Sequence, residues 1–561
     1  MTAGAISNFS NLFDPISLVG PIFDKELRVS ARRRRNYLLR SAYIIALSVF
    51  VLSAWYSYTG GSGSAGLVYS MSRLSTAARR SISTIVWFQF VTAQLVAIVM
   101  LGSSISDEIR SGTLSVLMTT PINSFQIVTS KLLSKLLQVM LLLAISLPFL
   151  AIIRVFGGVP WDFVASSVCI TLTATLLAGA LSLLLSITYR HGYTVILVAV
   201  GIYLLLFGAI SGLLNVLAVK DLFILDGQAT QSLLALTNPF VALGAVNAKF
   251  LQSGGPNFYW PLHCLLMLAV TAVLIAVAVW RIRRAAPVST FGTTTKSRPI
   301  NVLERFLTRV FYREGSRHGA ATTVTGSPVV WKEMRKGFVG RSRGEFAVFV
   351  LLTGAFLIAI VLLLLSGGMR NPLLPHYFMS AFCLITLVRM AIFSAGGITT
   401  EKEARTWPVL MATPLEDKEI VRGKAIAAFR RNVPLLLMYF VLFCVFYFRF
   451  AGAKSILFIF LSLVPLASSV LFVIGSGLYF GTRFRTTTGA VAATIGLHLV
   501  VTYLFCGIFN PLNRLFIIRL ASRGGGQWLY FGVTIIRCLT IAAIGLSLAR
   551  CARRRLRRDI F

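Results

Sequence analysis

Acidic residues are scarce in this chain: 18 Asp and Glu stand against 54 Lys and Arg in 561 residues, for a net charge of +36. Charged residues of both signs together make up only 13%, while 56% are hydrophobic and the mean hydropathy is +0.80. A soluble domain carries about a quarter charged residues, so an ordinary water-soluble enzyme is excluded. Disordered chains combine low hydropathy with high charge, and that class is excluded too. Cysteine and histidine are also few, at seven and five. No CxxC pair occurs, and His191, His263, His318, His376 and His498 are scattered, so no zinc spacing is present. The cysteines lie in or beside apolar runs and read as buried single thiols. There is no GxxxxGK[ST], hence no P-loop, and no Ser/His/Asp arrangement can be argued. The chain is therefore expected to catalyse nothing itself and to hold no metal or cofactor.

What is present is a series of long apolar runs, among them Ser41–Ser57, Thr84–Ser106, Leu136–Ile153, Phe163–Thr188 and Tyr193–Leu217. Each approaches or exceeds the ~20 helical residues that cross ~30 Å of hydrocarbon. Strand-like alternation is lacking, so a barrel is excluded and helices remain. The expectation is an all-α integral membrane protein with about twelve transmembrane helices, arranged as two similar six-helix bundles. Residues 1–30 show no basic region followed by an apolar one, so no cleaved signal peptide is expected.

Most Lys and Arg fall on alternate inter-span segments, and the positive-inside rule then puts both termini in the cytoplasm of an inner membrane. Runs such as Arg32–Arg35 and Arg553–Arg558 flank spans, where they would meet anionic headgroups. Membrane lipids are therefore expected partners, and nucleic acid is not. No carboxylate falls at the middle of a span. Ion-driven carriers usually keep one there, which speaks against a secondary transporter, the first alternative reading.

The chain also repeats itself. Pro21–Arg28 aligns with Pro328–Arg335, including Lys25, Glu26 and Arg28 with Lys332, Glu333 and Arg335. Glu108–Ile122 aligns without gaps with Glu401–Leu415, and Lys131 follows in register with Lys424. Asn238-Pro239 and Asn510-Pro511 each precede a sixth span. Three markers in one order divide the chain into a first unit (1–285), a linker (286–325) and a second unit (326–561). The two units have the same orientation. Val302–Tyr312 in the linker is amphipathic and suits the inner leaflet.

Each second-to-third-span connection holds an acidic residue, a short apolar stretch and then Thr-Pro. Pro ends or bends a helix, so a short helical knob below the membrane is expected. This pattern resembles the permease subunits of ATP-binding-cassette exporters of the type-2 class, here as two copies in tandem. The Lys-Glu-hydrophobic-Arg stretch before each first span is similar too, as are the basic step between spans four and five and the Asn-Pro before span six.

The resemblance implies a connecting helix at Lys25, Glu26, Arg28, Lys332, Glu333 and Arg335, and re-entrant helices before span six. It implies coupling helices that dock on ATPase subunits. These would involve Glu108, Gly112, Thr113, Leu117, Thr120 and Pro121, with Glu401, Thr406, Leu410, Thr413 and Pro414 in the second copy. Two ATPase subunits are the implied partners, with ATP and Mg on them and none on this chain, and the exported substrate is not named. Glu108 and Glu401 are expected to pair with cations on the ATPase. Gly112 is replaced by Arg405 in the second copy. Arg389 and Arg537 lie deep, and Gln89 and Gln94 are the polar residues of span two in the first half; these four are possible pathway residues. A membrane anchor that recruits an ATPase without transport is the other alternative.

Overall fold

Hydrocarbon offers no partner for backbone N–H and C=O groups, so runs this apolar satisfy them internally, as helices. The computed structural model describes residues 23–28, 37, 40–41, 43–49, 51–52, 67–120, 122–157, 159–189, 192–212, 214, 227–251, 258–290, 327–335, 354, 373–451, 455–502 and 526–556. Among them are helices and no strands. Eight helices are long and apolar enough to cross a bilayer, four in each half of the chain. Two shorter apolar helices, Thr194–Gly208 and Thr487–Thr502, stand at the fifth positions. The first span of the first half is described in part, as helix within residues 40–52, whereas that of the second half (apart from residue 354) and Asn510-Pro511 lie outside the described residues, as does the linker beyond Thr290 with its Val302–Tyr312 segment. The count of twelve is therefore larger than the eight full-length spans seen. The all-helical membrane class stands.

The described residues form two compact units. The first contains α1 (23–28), α2 (Leu67–Gly102), α3 (Ser106–Ser111), α4 (Thr113–Met118), α5 (Ser124–Gly157) and α6 (Trp161–Thr188). It continues with α7 (Gly192–Tyr203), α8 (Gly227–Thr237), α9 (Pro239–Leu251) and α10 (Trp260–Thr290). The short α8 and α9 meet at an angle of 114°. Asn238 makes that corner: its Oδ1 accepts the Phe240 N–H at 2.9 Å, and Pro239 opens the next helix, where a missing N–H costs nothing. This bent pair occupies the segment in which the resemblance implies re-entrant helices.

Beside a small cluster around Ala97 and Val139, two larger apolar cores fill this unit. One joins Phe90 of α2, Phe163 of α6 and Leu243 of α9. The other gathers Leu101, Leu132, Leu183 and Ile282 around Leu114 of α4. The second core seats the short helix on the ends of four spans.

The second unit contains α11 (Pro328–Arg335), α12 (Leu373–Glu403), α13 (Trp407–Met411), α14 (Asp417–Ala451), α15 (Ser455–Arg483), α16 (Thr487–Thr502) and α17 (Gly526–Arg555). Small residues let helix backbones approach closely in lipid. On α15, Gly477 and Gly481 face Ser394 and Ala395 of α12, while Gly475 faces Gly545 of α17. A Cβ at any of the three α15 glycines would collide with its neighbour.

Candidate functional site

The region between the second and third spans is built the same way in both units, at aligned positions. In the first, α3 ends at Gly112, whose φ of 72° is left-handed. In the second, Arg405 takes the same bend with φ 56°. Side chains at such φ values are uncommon because Cβ crowds the backbone, so the second copy keeps the turn without the glycine that eases it.

A short helix follows each bend, bracketed by two threonines. Thr113 donates to the Glu108 carbonyl at 3.4 Å, and Thr406 donates to the Glu401 carbonyl at 3.4 Å. At the other end Thr120 donates to the Leu117 carbonyl at 2.5 Å, and Thr413 to that of Leu410 at 2.6 Å. The first pair of hydroxyls reaches back across the bend to carbonyls of the preceding helix, and the second pair closes the last turn of the short helix. Leu114 and Trp407 point inward and are buried, Leu117 and Leu410 are half-buried, and Val116 and Val409 stand out at 67% and 70% exposure. Each knob thus offers one apolar tip at the same register. Pro414 is exposed, and Pro121 lies outside the described residues.

Ion pairs tie each knob to the unit above it. In the first unit, Lys131 of α5 reaches Glu108 at 2.5 Å and Glu26 of α1 at 2.6 Å, and Lys135 adds Glu26 at 3.2 Å. In the second, Lys424 of α14 reaches Glu401 at 2.9 Å and Glu333 of α11 at 3.5 Å. It also donates to the Gly397 carbonyl at 2.6 Å. Lys332 reaches Glu401 at 3.2 Å, and Arg431 reaches Glu333 at 3.4 Å. One lysine therefore holds two carboxylates in each unit, joining the helix before span one, the end of span two and the start of span three. Burial alone would push the Glu26 carboxyl up, but Lys131 and Lys135 outweigh it and hold the group at about 2.

Glu108 and Glu401 consequently turn inward. Both carboxylates pair within the chain, since an apolar surround makes an unpaired carboxylate costly. Lys25 and Arg28 are exposed, Arg28 pairing with Asp24 at 2.6 Å, and the Arg335 side chain lies outside the described residues. The roles of Lys131 and Lys424 were legible only in their register with the repeat, not in their residue type.

The second knob has further fastenings. Glu403 accepts the Thr487 N–H at the start of α16 at 2.7 Å, and Lys402 donates to the Thr482 carbonyl at the end of α15. Lys402 also lies 5.9 Å from the Trp407 ring centre, a cation–π distance.

Of the deep polar residues, Arg389 bonds Arg431 of the second knob's ion-pair network, and the others lie elsewhere on the spans. Gln89 donates to Ser146, joining spans two and three of the first unit, and Gln94 is buried. Arg389 is buried on α12 and donates to the Arg431 carbonyl of α14 at 3.3 Å. Arg389 and Arg431 flank the Phe393 ring at 5.3 and 5.2 Å. Arg389 therefore makes the helix-to-helix bond that a guanidinium at depth requires. Arg537 is half-buried on α17.

The described helices define a multi-pass, all-helical membrane protein. Residues 21–285 match the family model of the ABC-2 family transporter protein, so that part of the chain is similar to the membrane domain of that family. That similarity is to a membrane transport component, in a family associated with ATP-binding-cassette ATPase subunits. No curated protein matches the chain.

Proposed function

We propose that the chain is the membrane-spanning permease subunit of an ATP-driven exporter, with two permease units fused in tandem in the inner membrane and both termini cytoplasmic. Two separate ATPase subunits dock on α4 and α13, one on each. The observation that carries this reading is the twinned knob: an exposed valine on a short helix, held at aligned positions by one lysine and two carboxylates. The matched family domain over 21–285 supports it for the first unit. The aligned ion pairs support extending it to the second.

In this mechanism the ATPase subunits bind ATP and Mg and close. Each pushes on Val116 or Val409, and the knob transmits the push. Lys131 and Lys424 pass it to the third span and to the helix before the first span. Glu108 and Glu401 brace the knob from inside, with Gly112 and Arg405 setting its angle. The substrate leaves by a path that these movements open.

Purification of the Val116→Asp/Val409→Asp double variant from native membranes tests the docking. A charge at each apolar tip is expected to lose a co-purifying nucleotide-binding subunit that the wild type retains. Undiminished capture and ATP turnover would sink the docking role.

A further inference from the structure

The outer face of the first unit carries a groove of about 530 Å³ between the start of α5 and the end of α10, beside α4. Its floor is set by Ala272 and Ala276, one turn apart on α10, which leave room where larger side chains would fill it. Phe125 and Trp280 wall it, and both are exposed. The volume falls in the range of small-molecule sites.

The groove lies on a span that the protein barely covers: only 28% of the apolar window of Trp260–Arg283 is buried. An apolar span so little covered leaves the groove open to molecules of the bilayer. Its polarity is one-ended. Arg283 lies at the terminus of the span with no ion pair among the described residues, whereas Arg281 spends its guanidinium on the Thr188 hydroxyl at 2.9 Å. Trp280 sits one turn from the same end, where indole rings favour the membrane–water boundary. An apolar trough closed at the boundary by a cation with no ion pair among the described residues matches a molecule with a fatty chain at one end and a net negative charge at the other.

We infer that this groove binds an anionic phospholipid, its acyl chain along Ala272 and Ala276 and its headgroup phosphate against Arg283. The site is wired to the knob. Ile275 and Val279 line the groove and also pack against the core that seats Leu114. A bound chain therefore presses on the support of α4. The inference rests on membrane location alone and stands whether or not an ATPase docks.

Bromine-labelled lipids quench a nearby indole and provide the test. The full chain is reconstituted in phosphatidylcholine vesicles containing either brominated phosphatidylglycerol or brominated phosphatidylcholine. The share of fluorescence lost in a Trp280→Phe variant is taken as the Trp280 signal. One such cation near the surface favours the anionic lipid by about fivefold in half-quenching mole fraction. Arg283→Gln is expected to abolish that preference, and Ala276→Phe to weaken quenching by both lipids. Equal quenching by the two lipids in the wild type would overturn the inference, as would a preference that survives Arg283→Gln.

Discussion

A lysine between two carboxylates is a balanced arrangement only while all three charges are present. Lys131 is 7% exposed, and Glu108 and Glu26 are 19% and 23% exposed in their side chains. Removing one partner of a buried pair strands the others and costs ~3–5 kcal/mol. Lys131→Met is therefore expected to lower thermal stability in detergent sharply. The triple change Lys131→Met, Glu26→Gln, Glu108→Gln is expected to recover most of the loss. The Glu26 carboxyl sits at about 2, below its ordinary 4.5. Its contribution is thus complete above pH 4.5 and is lost as pH falls toward 2. Glu26→Gln is expected to be less stable at neutral pH and to show a smaller drop across that window, as a thermal melt series would read. A second residue-level prediction concerns the bends. Open space surrounds the Gly112 Cα, so Gly112→Ala adds no clash and only the left-handed strain, about 1 kcal/mol. Arg405→Gly is expected to stabilise the second unit by a similar amount. Equal melts for Arg405→Gly and wild type would show that the strain is relieved elsewhere.

At the scale of elements, the second unit depends on backbone contact between spans. Gly475 meets Gly545 where α15 crosses α17, and Gly477 meets Ser394 where α15 crosses α12. Alanine at Gly475 or Gly545 forces these helices apart and is expected to destabilise the unit by ~1–3 kcal/mol, as overpacking does. Alanine at Gly244, which has open space around it, serves as the control and is expected to be far milder. A Gly475→Ala variant that melts like wild type would contradict the packing. The spans themselves were readable from the length of the apolar runs, because a bilayer imposes one length scale on every helix. The knobs were readable from Thr-Pro and from their recurrence. Their internal wiring was not, because an ion pair between Glu26 and Lys131 joins residues 105 positions apart and leaves no local pattern. The inward turn of Glu108 and Glu401 was hidden for the same reason. The bend at Arg405 was also hidden, since arginine gives no sign of a left-handed φ; only its alignment with Gly112 points to it.

At the scale of the whole molecule, the two compact units carry the same short helix at aligned positions, the one proposed to receive force. The first knob rests on an apolar core around Leu114, and the second is fastened additionally through Glu403 and Lys402 to the turn between spans four and five. The units therefore differ in stiffness at the same site, and Leu114→Ala is expected to loosen only the first. With a cavity cost of ~2–5 kcal/mol, that variant is expected to uncouple ATP turnover from transport while the second knob still captures an ATPase. Loss of capture at both knobs would contradict their independence. The central claim is that Val116 and Val409 are the tips on which nucleotide-binding subunits sit. Its most direct test places a photoreactive crosslinker on Val116→Cys and, separately, on Val409→Cys, in native membranes. The account predicts that each site captures a soluble ATP-binding subunit and is labelled only from the cytoplasmic side. Labelling of either tip from outside the cell, or capture of no nucleotide-binding protein at both, would contradict it.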